Sequence, residues 1–91
     1  MTPTRLRRSP ASLSRRVGDE VYLASPDRDG YDLLGGSAAS IWMHLDRDAS
    51  PQEVVASLAA QYGVAESSIE AEIRTFLEEL ELRGWITSWE A

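Results

Sequence analysis

The fold is decided in the stretch where residues 31–53 read YDLLGGSAASIWMHLDRDASPQE. The segment Tyr31–Leu34 has the period-two pattern of a strand, and the glycine pair Gly35–Gly36 then ends the predicted sheet. Beyond the glycines, the apolar residues follow the spacing i, i+3, i+4, i+7 of a helix. These residues are Ala38, Ile41, Trp42 and Leu45. This change of period predicts a sheet on the N-terminal side of the glycines and helices on their C-terminal side.

Two more strands are predicted on the N-terminal side, separated by a short turn. Ser12–Arg15 alternates weakly, Gly18–Asp19 is a turn signal, and Val21–Ala24 alternates more clearly. Residues 26–30 read PDRDG, a loop sequence that leads into the third strand at Tyr31. Consecutive strands joined by short turns are typical of an antiparallel meander.

The C-terminal side is predicted to hold three helices, of which the first two have different start signals. Ser37 is the expected N-cap of the first helix, which ends near Asp46. The second begins at Ser50–Glu53, where the sequence SPQE combines a capping box with proline at the first helical position. Gly63 is its expected C-terminal stop.

The third helix is the longest and the most acidic. It is predicted to begin within Ala65–Ser68 and to end at Arg83, with Gly84 as its stop. Its apolar stripe, about 100° wide, consists of Ile69, Ile73, Phe76, Leu77 and Leu80. Six glutamates and two arginines occupy the rest of this helix. The residues after this helix, Trp85–Thr87, are compatible with a short terminal strand.

The order of these elements predicts an α+β, winged-helix-like domain, a three-stranded antiparallel sheet followed by three helices. Ninety-one residues are fewer than the roughly 100–150 of a common domain, so a second domain is not expected. Residues 1–10 are predicted to form a flexible basic N-terminal tail, 11–87 the folded domain, and 88–91 a C-terminal tail.

Charge and composition limit the functional classes. Five of the nine basic residues, all of them arginines, lie within residues 1–16, and the rest of the chain carries four arginines against all fifteen acidic residues. Because an acidic domain repels phosphate, nucleic acid is not an expected partner, although a winged-helix DNA-binding protein remains an alternative on grounds of fold. The lack of cysteine and of apolar runs near the roughly 20 residues of a membrane span favours a cytoplasmic protein without a membrane partner.

No catalytic residue, metal site or cofactor is predicted. The chain has no cysteine nucleophile, and His44 is its only histidine, with no second ligand at a known spacing. An acyl-carrier-like protein is a further alternative, because the chain is small and acidic and Ser37 opens a helix. Against it, Ser37 follows Gly35–Gly36 rather than an aspartate, and strands have no place in a four-helix bundle.

A set of short motifs, distributed over about residues 11–87, has the order and spacing of one protein family. The motifs are Tyr31–Leu34, Ala38–Trp42, Leu45–Asp46, Ser50–Val54, Leu58–Ala59, Tyr62–Val64, Ile73, Phe76–Leu77, Leu80 and Gly84–Ile86. Together they resemble the PqqD-like family. The chain departs from the usual pattern at Gly35, where asparagine is common, and at Asp32, where a second aromatic residue often follows the strand tyrosine.

The resemblance implies a function as well as a fold. Members of the family are peptide-binding modules, called RiPP recognition elements, which capture the leader of a ribosomally synthesised precursor peptide. Stand-alone members of this length resemble the leader-binding part of split lasso-peptide maturation systems. The implied partners are the leader peptide, a separate leader peptidase of the cysteine-protease class, and a cyclase.

The predicted peptide site combines the third strand with the third helix. An edge strand presents unpaired N–H and C=O groups to which an extended peptide can add, while adjacent grooves receive its side chains. The site residues are Tyr31, Asp32, Leu33 and Leu34 on the strand, and Glu72, Thr75, Phe76 and Glu79 on the helix. The strand period places Tyr31 and Leu33 on one face and Asp32 and Leu34 on the other. The family's regular leucine falls at Leu34, so the resemblance assigns Leu34 to the core and makes Tyr31 and Leu33 the better ligand contacts.

Helical spacing leaves both flanks of the apolar stripe as candidates for the peptide side. One flank holds Glu72, Thr75 and Glu79, with Phe76 at its border, and the other holds Glu70, Arg74 and Glu81. We favour the first flank, because Glu72 occupies the acidic position of the family pattern. The competing structural interpretation assigns Phe76 to the core and the glutamates to a solvated face.

Overall fold

The structure, a computed structural model, describes residues 4–27 and 29–90. In chain order its elements are β1 (Thr4–Arg8), β2 (Leu13–Val17), β3 (Glu20–Ala24), β4 (Asp32–Gly35), α1 (Ser37–Met43), α2 (Pro51–Tyr62), α3 (Glu66–Leu82) and β5 (Ile86–Glu90). The strands form a three-stranded sheet of order β2-β3-β4 and a two-stranded sheet of β1 and β5. The predicted α+β class is therefore confirmed, while Arg28 of the predicted loop lies outside the described residues.

The three-stranded sheet is the predicted meander with slightly shifted bounds. Both strand pairs are antiparallel, and their registers place Tyr22 opposite Arg15 on one side and Leu33 on the other. The two-residue turn between β2 and β3 begins at Gly18, whose φ of 62° suits the glycine position of a type II′ hairpin. Gly35 lies inside β4 rather than after it, so the sheet extends one residue further than predicted.

The predicted flexible N-terminal tail over 1–10 is wrong for Thr4–Arg8, which form β1. This strand pairs antiparallel with β5 along its whole length. Leu6 is buried at 4% exposure, and its amide and carbonyl bond to the loop before α2 at 2.7 and 3.0 Å. The C-terminal tail predicted over 88–91 is wrong in the same way, because β5 extends to Glu90. Residues 1–3 and residue 91 of these two tails lie outside the described residues.

Two arginines fasten β1 to the helical part of the chain. Arg5 forms an ion pair with Glu53 of α2 and donates a hydrogen bond to the Asp48 carbonyl at 2.9 Å. The Arg8 guanidinium lies 4.5 Å from the centre of the Trp42 ring and donates to the Trp42 carbonyl at 2.6 Å. These partners are distant in sequence, which is why the arginines resemble a solvated tail until the chain is folded.

The first helix differs from its prediction at both ends. Ser37 is not the N-cap, because it is already the first helical residue. Gly36, with a φ of 58°, is the cap, and it has no side chain with which to accept a capping hydrogen bond. The helix ends at Met43 rather than near Asp46. None of the helices in the described part of the chain is both long and apolar enough to cross a membrane.

The predicted capping box of α2 is confirmed. The Ser50 hydroxyl accepts from the Glu53 amide at 3.1 Å, and the Ser50 amide donates to Glu53 Oε1 at 3.1 Å. Gly63 ends the helix as predicted, and its backbone is left-handed, with a φ of 66°. The third helix begins at Glu66 with Ala65 as its N-cap, within the predicted range.

The hydrophobic core lies between the inner face of the three-stranded sheet and the helices. Its largest fully buried side chains are Trp42, Trp85, Leu23, Leu45, Leu58, Leu80, Ile86, Val21, Val54 and Val55. Ile69 and Phe76 of α3 are only partly buried and pack against the edge of this core. Trp42 is thus a packing residue of the core, and Phe76 remains accessible from one side.

Candidate functional site

The main-chain groups of β4 alternate between its paired side and its free side. Among the described residues β4 pairs with β3 alone, so its other edge is free. Val17 and Glu20 flank a two-residue turn, so these two residues exchange both of their hydrogen bonds. Because directions alternate along a strand, the peptide groups of Val21 and Leu23 point from β3 toward β4.

The partners of Val21 and Leu23 on β4 are Leu34 and Asp32, whose N–H and C=O groups therefore point to β3. Leu33 and Gly35 alternate with them, so they direct their N–H and C=O groups to the free edge. Each of these two residues offers one donor and one acceptor to an incoming strand.

The side chains around β4 divide between the faces of the sheet as the strand period predicts. Tyr31 and Leu33 are 65% and 47% exposed on the outer face, whereas Leu34 is buried in the core. The Tyr31 ring lies 5.4 Å from the Tyr22 ring, which stands opposite Leu33 in the register. The free edge is therefore bordered on the outer face by aromatic and aliphatic side chains, while Leu34 is inaccessible to a ligand.

Asp32 differs from the other strand residues of the predicted site because it has partners within the chain. Its Oδ2 accepts a hydrogen bond from Trp85 Nε1 at 2.6 Å and lies 3.7 Å from a guanidinium nitrogen of Arg83. The register also places Asp32 on the inner side of the sheet with Leu34. The structure thus separates the Asp32 carboxylate from the exposed outer face.

The helix residues of the predicted site lie together on one open flank of α3, which we call the acidic flank. Glu72, Thr75, Phe76 and Glu79, together with Ala71, line a shallow depression of about 350 Å³. Both glutamates are exposed, and no cation of the described residues forms an ion pair with them. The acidic flank is therefore a negatively charged surface bordered by an aromatic ring.

A smaller pocket, which the sequence analysis does not predict, adjoins the acidic flank. It has a volume of about 240 Å³ and is lined by Ser37, Ala38, Ile41, Leu58, Tyr62, Ile69, Glu72, Ile73 and Phe76. Glu72 and Phe76 line both depressions, so the two are neighbours on the surface. The apolar stripe of α3 contains Ile69 and Ile73, but only the packing of three helices shows that they border a pocket.

The opposite flank of α3 is engaged by other elements of the chain. Arg74 Nε lies 3.2 Å from Glu70 Oε2, and Arg74 Nη2 donates to Gln52 Oε1 of α2 at 3.4 Å. Glu81 accepts a hydrogen bond from the hydroxyl of Ser88 in β5. This flank therefore faces α2 and β5, and the acidic flank is the one that remains open.

Both ends of β4 lie close to α3. At its first residue, Asp32 bonds to Trp85, which follows the end of α3. After its last residue, Ser37 and Ala38 share a pocket with Ile69 and Phe76. The strand is therefore linked to the α3 side of the fold at both ends, through Trp85 and through the start of α1, and its free edge and the acidic flank together form the candidate site.

The chemistry of this surface is that of binding. It offers main-chain hydrogen bonds, apolar contacts and negative charge. Within residues 4–27 and 29–90 no group of three or more histidine, cysteine or acidic side chains is arranged to hold a metal ion. His44 lies elsewhere, with Nε2 2.9 Å from Gln61 Oε1.

Comparisons with known proteins agree with this architecture. The family model described as coenzyme PQQ synthesis protein D (PqqD) matches residues 20–86. The solved structure of TbiB1 in complex with the TbiA(beta) leader peptide is similar to this chain, with a TM-score of 0.79 and 29% identity, covering 88% of this chain and 93% of that one. No curated protein matches the sequence. Because the family model spans more than half of the chain and includes β3, β4 and all the helices, the chain belongs to the PqqD family.

Proposed function

We propose that this protein is a RiPP recognition element that binds the leader segment of a ribosomally synthesised precursor, that of a lasso peptide. The observation that carries the proposal is the similarity to TbiB1, whose structure contains the TbiA(beta) leader peptide. At 29% identity over 88% of this chain, the similarity includes sequence as well as fold. The free edge of β4 supplies the physical means of binding.

The leader adds to β4 as an extended strand. Leu33 and Gly35 supply the main-chain hydrogen bonds, which contribute affinity for any extended peptide. Successive side chains of the added strand point to opposite sides. On the outer side they meet Tyr31 and Leu33, and on the inner side they meet the depressions bordered by Phe76. These contacts determine the register of the peptide.

Charge adds a preference for basic leader residues. Glu72 and Glu79 stand on the open flank, with Thr75 between them as a hydroxyl donor and acceptor. A lysine or arginine of the leader that reaches this flank meets negative charge without displacing an internal ion pair.

We further propose that the protein acts as an adaptor rather than an enzyme. It holds the leader so that a separate leader peptidase of the cysteine-protease class, and a cyclase, meet the precursor at raised local concentration. The chain itself has no cysteine for a thiolate nucleophile, which also suits the reducing conditions of a cytoplasmic location.

Fluorescence polarisation tests the proposal with labelled leader and core peptides made from short precursor-like reading frames found near this gene. The leader peptide is expected to bind, and the core peptide and a scrambled leader are not. Binding to the core without binding to the leader would reject the assignment. A gel shift at low salt separates the DNA-binding alternative, and mass spectrometry for a phosphopantetheine adduct on Ser37 separates the acyl-carrier alternative.

A further inference from the structure

Asp32 forms a hydrogen bond that strand addition does not require. Its main-chain groups point to β3, so they are not offered to a peptide. Its carboxylate accepts from Trp85 Nε1 at 2.6 Å, a short, charge-assisted hydrogen bond. The first residue of β4 is thereby tied to a residue just beyond the end of α3.

Trp85 is a rigid anchor for this bond. Its side chain is 2% exposed, its amide donates to the Leu80 carbonyl at 2.9 Å, and its carbonyl accepts from the Ser9 amide at 2.9 Å. The indole is therefore fixed relative to the last turn of α3. A displacement of Asp32 would cost the hydrogen bond of a buried N–H group.

We propose that Asp32 is a positioning residue, which through its hydrogen bond to Trp85 holds the edge of β4 at the correct distance and angle from α3. This role rests on the proposed function. The leader can pair with Leu33 and also insert a side chain beside Phe76 only if β4 and α3 are correctly spaced. A fixed spacing lowers the ordering cost of binding. The other end of β4 continues directly into α1, whereas the Asp32 end, which pairs with β3, is linked to the end of α3 by this bond.

The test uses the full chain and the same leader peptides labelled with fluorescein. Asp32→Leu removes the acceptor at similar size, and Trp85→Phe removes the donor but keeps an aromatic ring. Each is expected to weaken leader binding about tenfold, comparable to the loss of one charge-assisted hydrogen bond. The double variant is expected to bind no more weakly than the weaker single variant, because both remove the same interaction.

Two conservative variants complete the set. Asp32→Asn retains an oxygen acceptor for the indole, so its affinity is expected to stay within about threefold of wild type. Arg83→Met removes the more distant partner at 3.7 Å and is also expected to have little effect. Thermal unfolding identifies any variant that fails to fold. Amide exchange in the free protein is expected to be faster in β4 for Asp32→Leu and Trp85→Phe.

A direct contact between Asp32 and the peptide has a different signature. In that case Asp32→Asn would bind weakly, Trp85→Phe would bind normally, and the loss would decrease with added salt, which together would overturn the positioning role. Unchanged affinity in folded Asp32→Leu would also overturn it. A wild-type chain that does not bind the leader refutes the proposed function and this role with it, whereas normal binding by wild type and variants refutes this role alone.

Discussion

At Leu33 the peptide N–H points to the free edge of β4, while at the adjacent Asp32 it points to β3. Proline can therefore be placed at either residue with different results, because at Leu33 it removes an N–H group that the fold does not use and at Asp32 it removes one that bonds to β3. Proline removes an N–H group and leaves an extended backbone possible, so it tests which donors the fold itself uses.

Leu33→Pro is expected to leave the protein folded and to remove most leader binding, because the lost N–H is one that only an added strand uses. Asp32→Pro is the comparison for stability, expected to lower the free energy of unfolding by about 1–3 kcal/mol because it removes a ladder hydrogen bond and an internal side-chain partner. Circular dichroism melts and fluorescence polarisation measure both effects. Normal leader binding by folded Leu33→Pro would exclude strand addition at this edge.

The acidic flank is tested by charge reversal. Glu72→Lys and Glu79→Lys are each expected to weaken leader binding by about 0.5–2 kcal/mol, with a larger effect at low salt. The controls are Glu70→Lys and Glu81→Lys, which change net charge equally on the flank that faces α2 and β5. Equal losses on both flanks would indicate general attraction rather than contact. A larger loss in the controls would reverse the assignment of the open flank.

At the scale of elements, helices and strands are predicted correctly where the deciding residues are close together in sequence, and they are missed where the deciding contacts are far apart. The start of α2 depends on Ser50 and Glu53, which are three residues apart and bond to each other's amides, and it is predicted correctly. β1 depends on pairing with β5 at the other end of the chain, and it is missed. Its single apolar residue, Leu6, is too weak a local signal to distinguish a strand from a tail.

The capping box of α2 makes stability depend on pH. The pKa of Glu53 lies below its usual value, chiefly because the carboxylate accepts from the Ser50 amide and also because Arg5 bonds to it. A lowered folded-state pKa means that this stabilisation is present above the unfolded-state pKa and is lost as pH falls through the folded-state pKa.

Glu53→Gln is therefore expected to destabilise the protein most at neutral pH, with a difference from wild type that shrinks as the solution becomes acidic. Urea unfolding at several pH values between 7 and 3 measures this trend, where the pH range brackets the usual carboxylate pKa. Glu78→Gln, on an exposed α3 carboxylate outside the capping box, is the control. A difference between wild type and Glu53→Gln that stays constant with pH would contradict the account.

At the scale of the whole molecule, the two sheets have different roles. The β1–β5 sheet closes the core at one side, where Leu6 and Ile86 are buried. The β2-β3-β4 sheet ends at β4 in an edge with which no other strand of the described residues pairs. The β1–β5 sheet thus contributes to the core, whereas the edge of β4 is suited to hold a peptide for another protein.

An adaptor of this kind is expected to leave a precursor uncut by itself and to accelerate its cleavage by the partner protease. The acceleration should require the leader, saturate near the leader's dissociation constant, and be lost in Leu33→Pro. A time course of precursor cleavage with protease alone, this protein alone, and both together measures it. Cleavage by repurified protein alone would contradict the adaptor role, as would equal stimulation on a leaderless substrate.

Local chemistry was sufficient to predict the meander, the helices, the α2 capping box, the acidic composition of α3 and the two faces of β4. All of these depend on residues within a few positions of one another, whose spacing is visible in the sequence. Four features appeared only in the folded chain. They are the β1–β5 pairing, the internal partners of Asp32, the choice of the open flank of α3 and the pocket beside Phe76. Each of them depends on contacts between segments far apart in sequence. Such contacts form because the whole core packs together, so no local period or cap carries their signal.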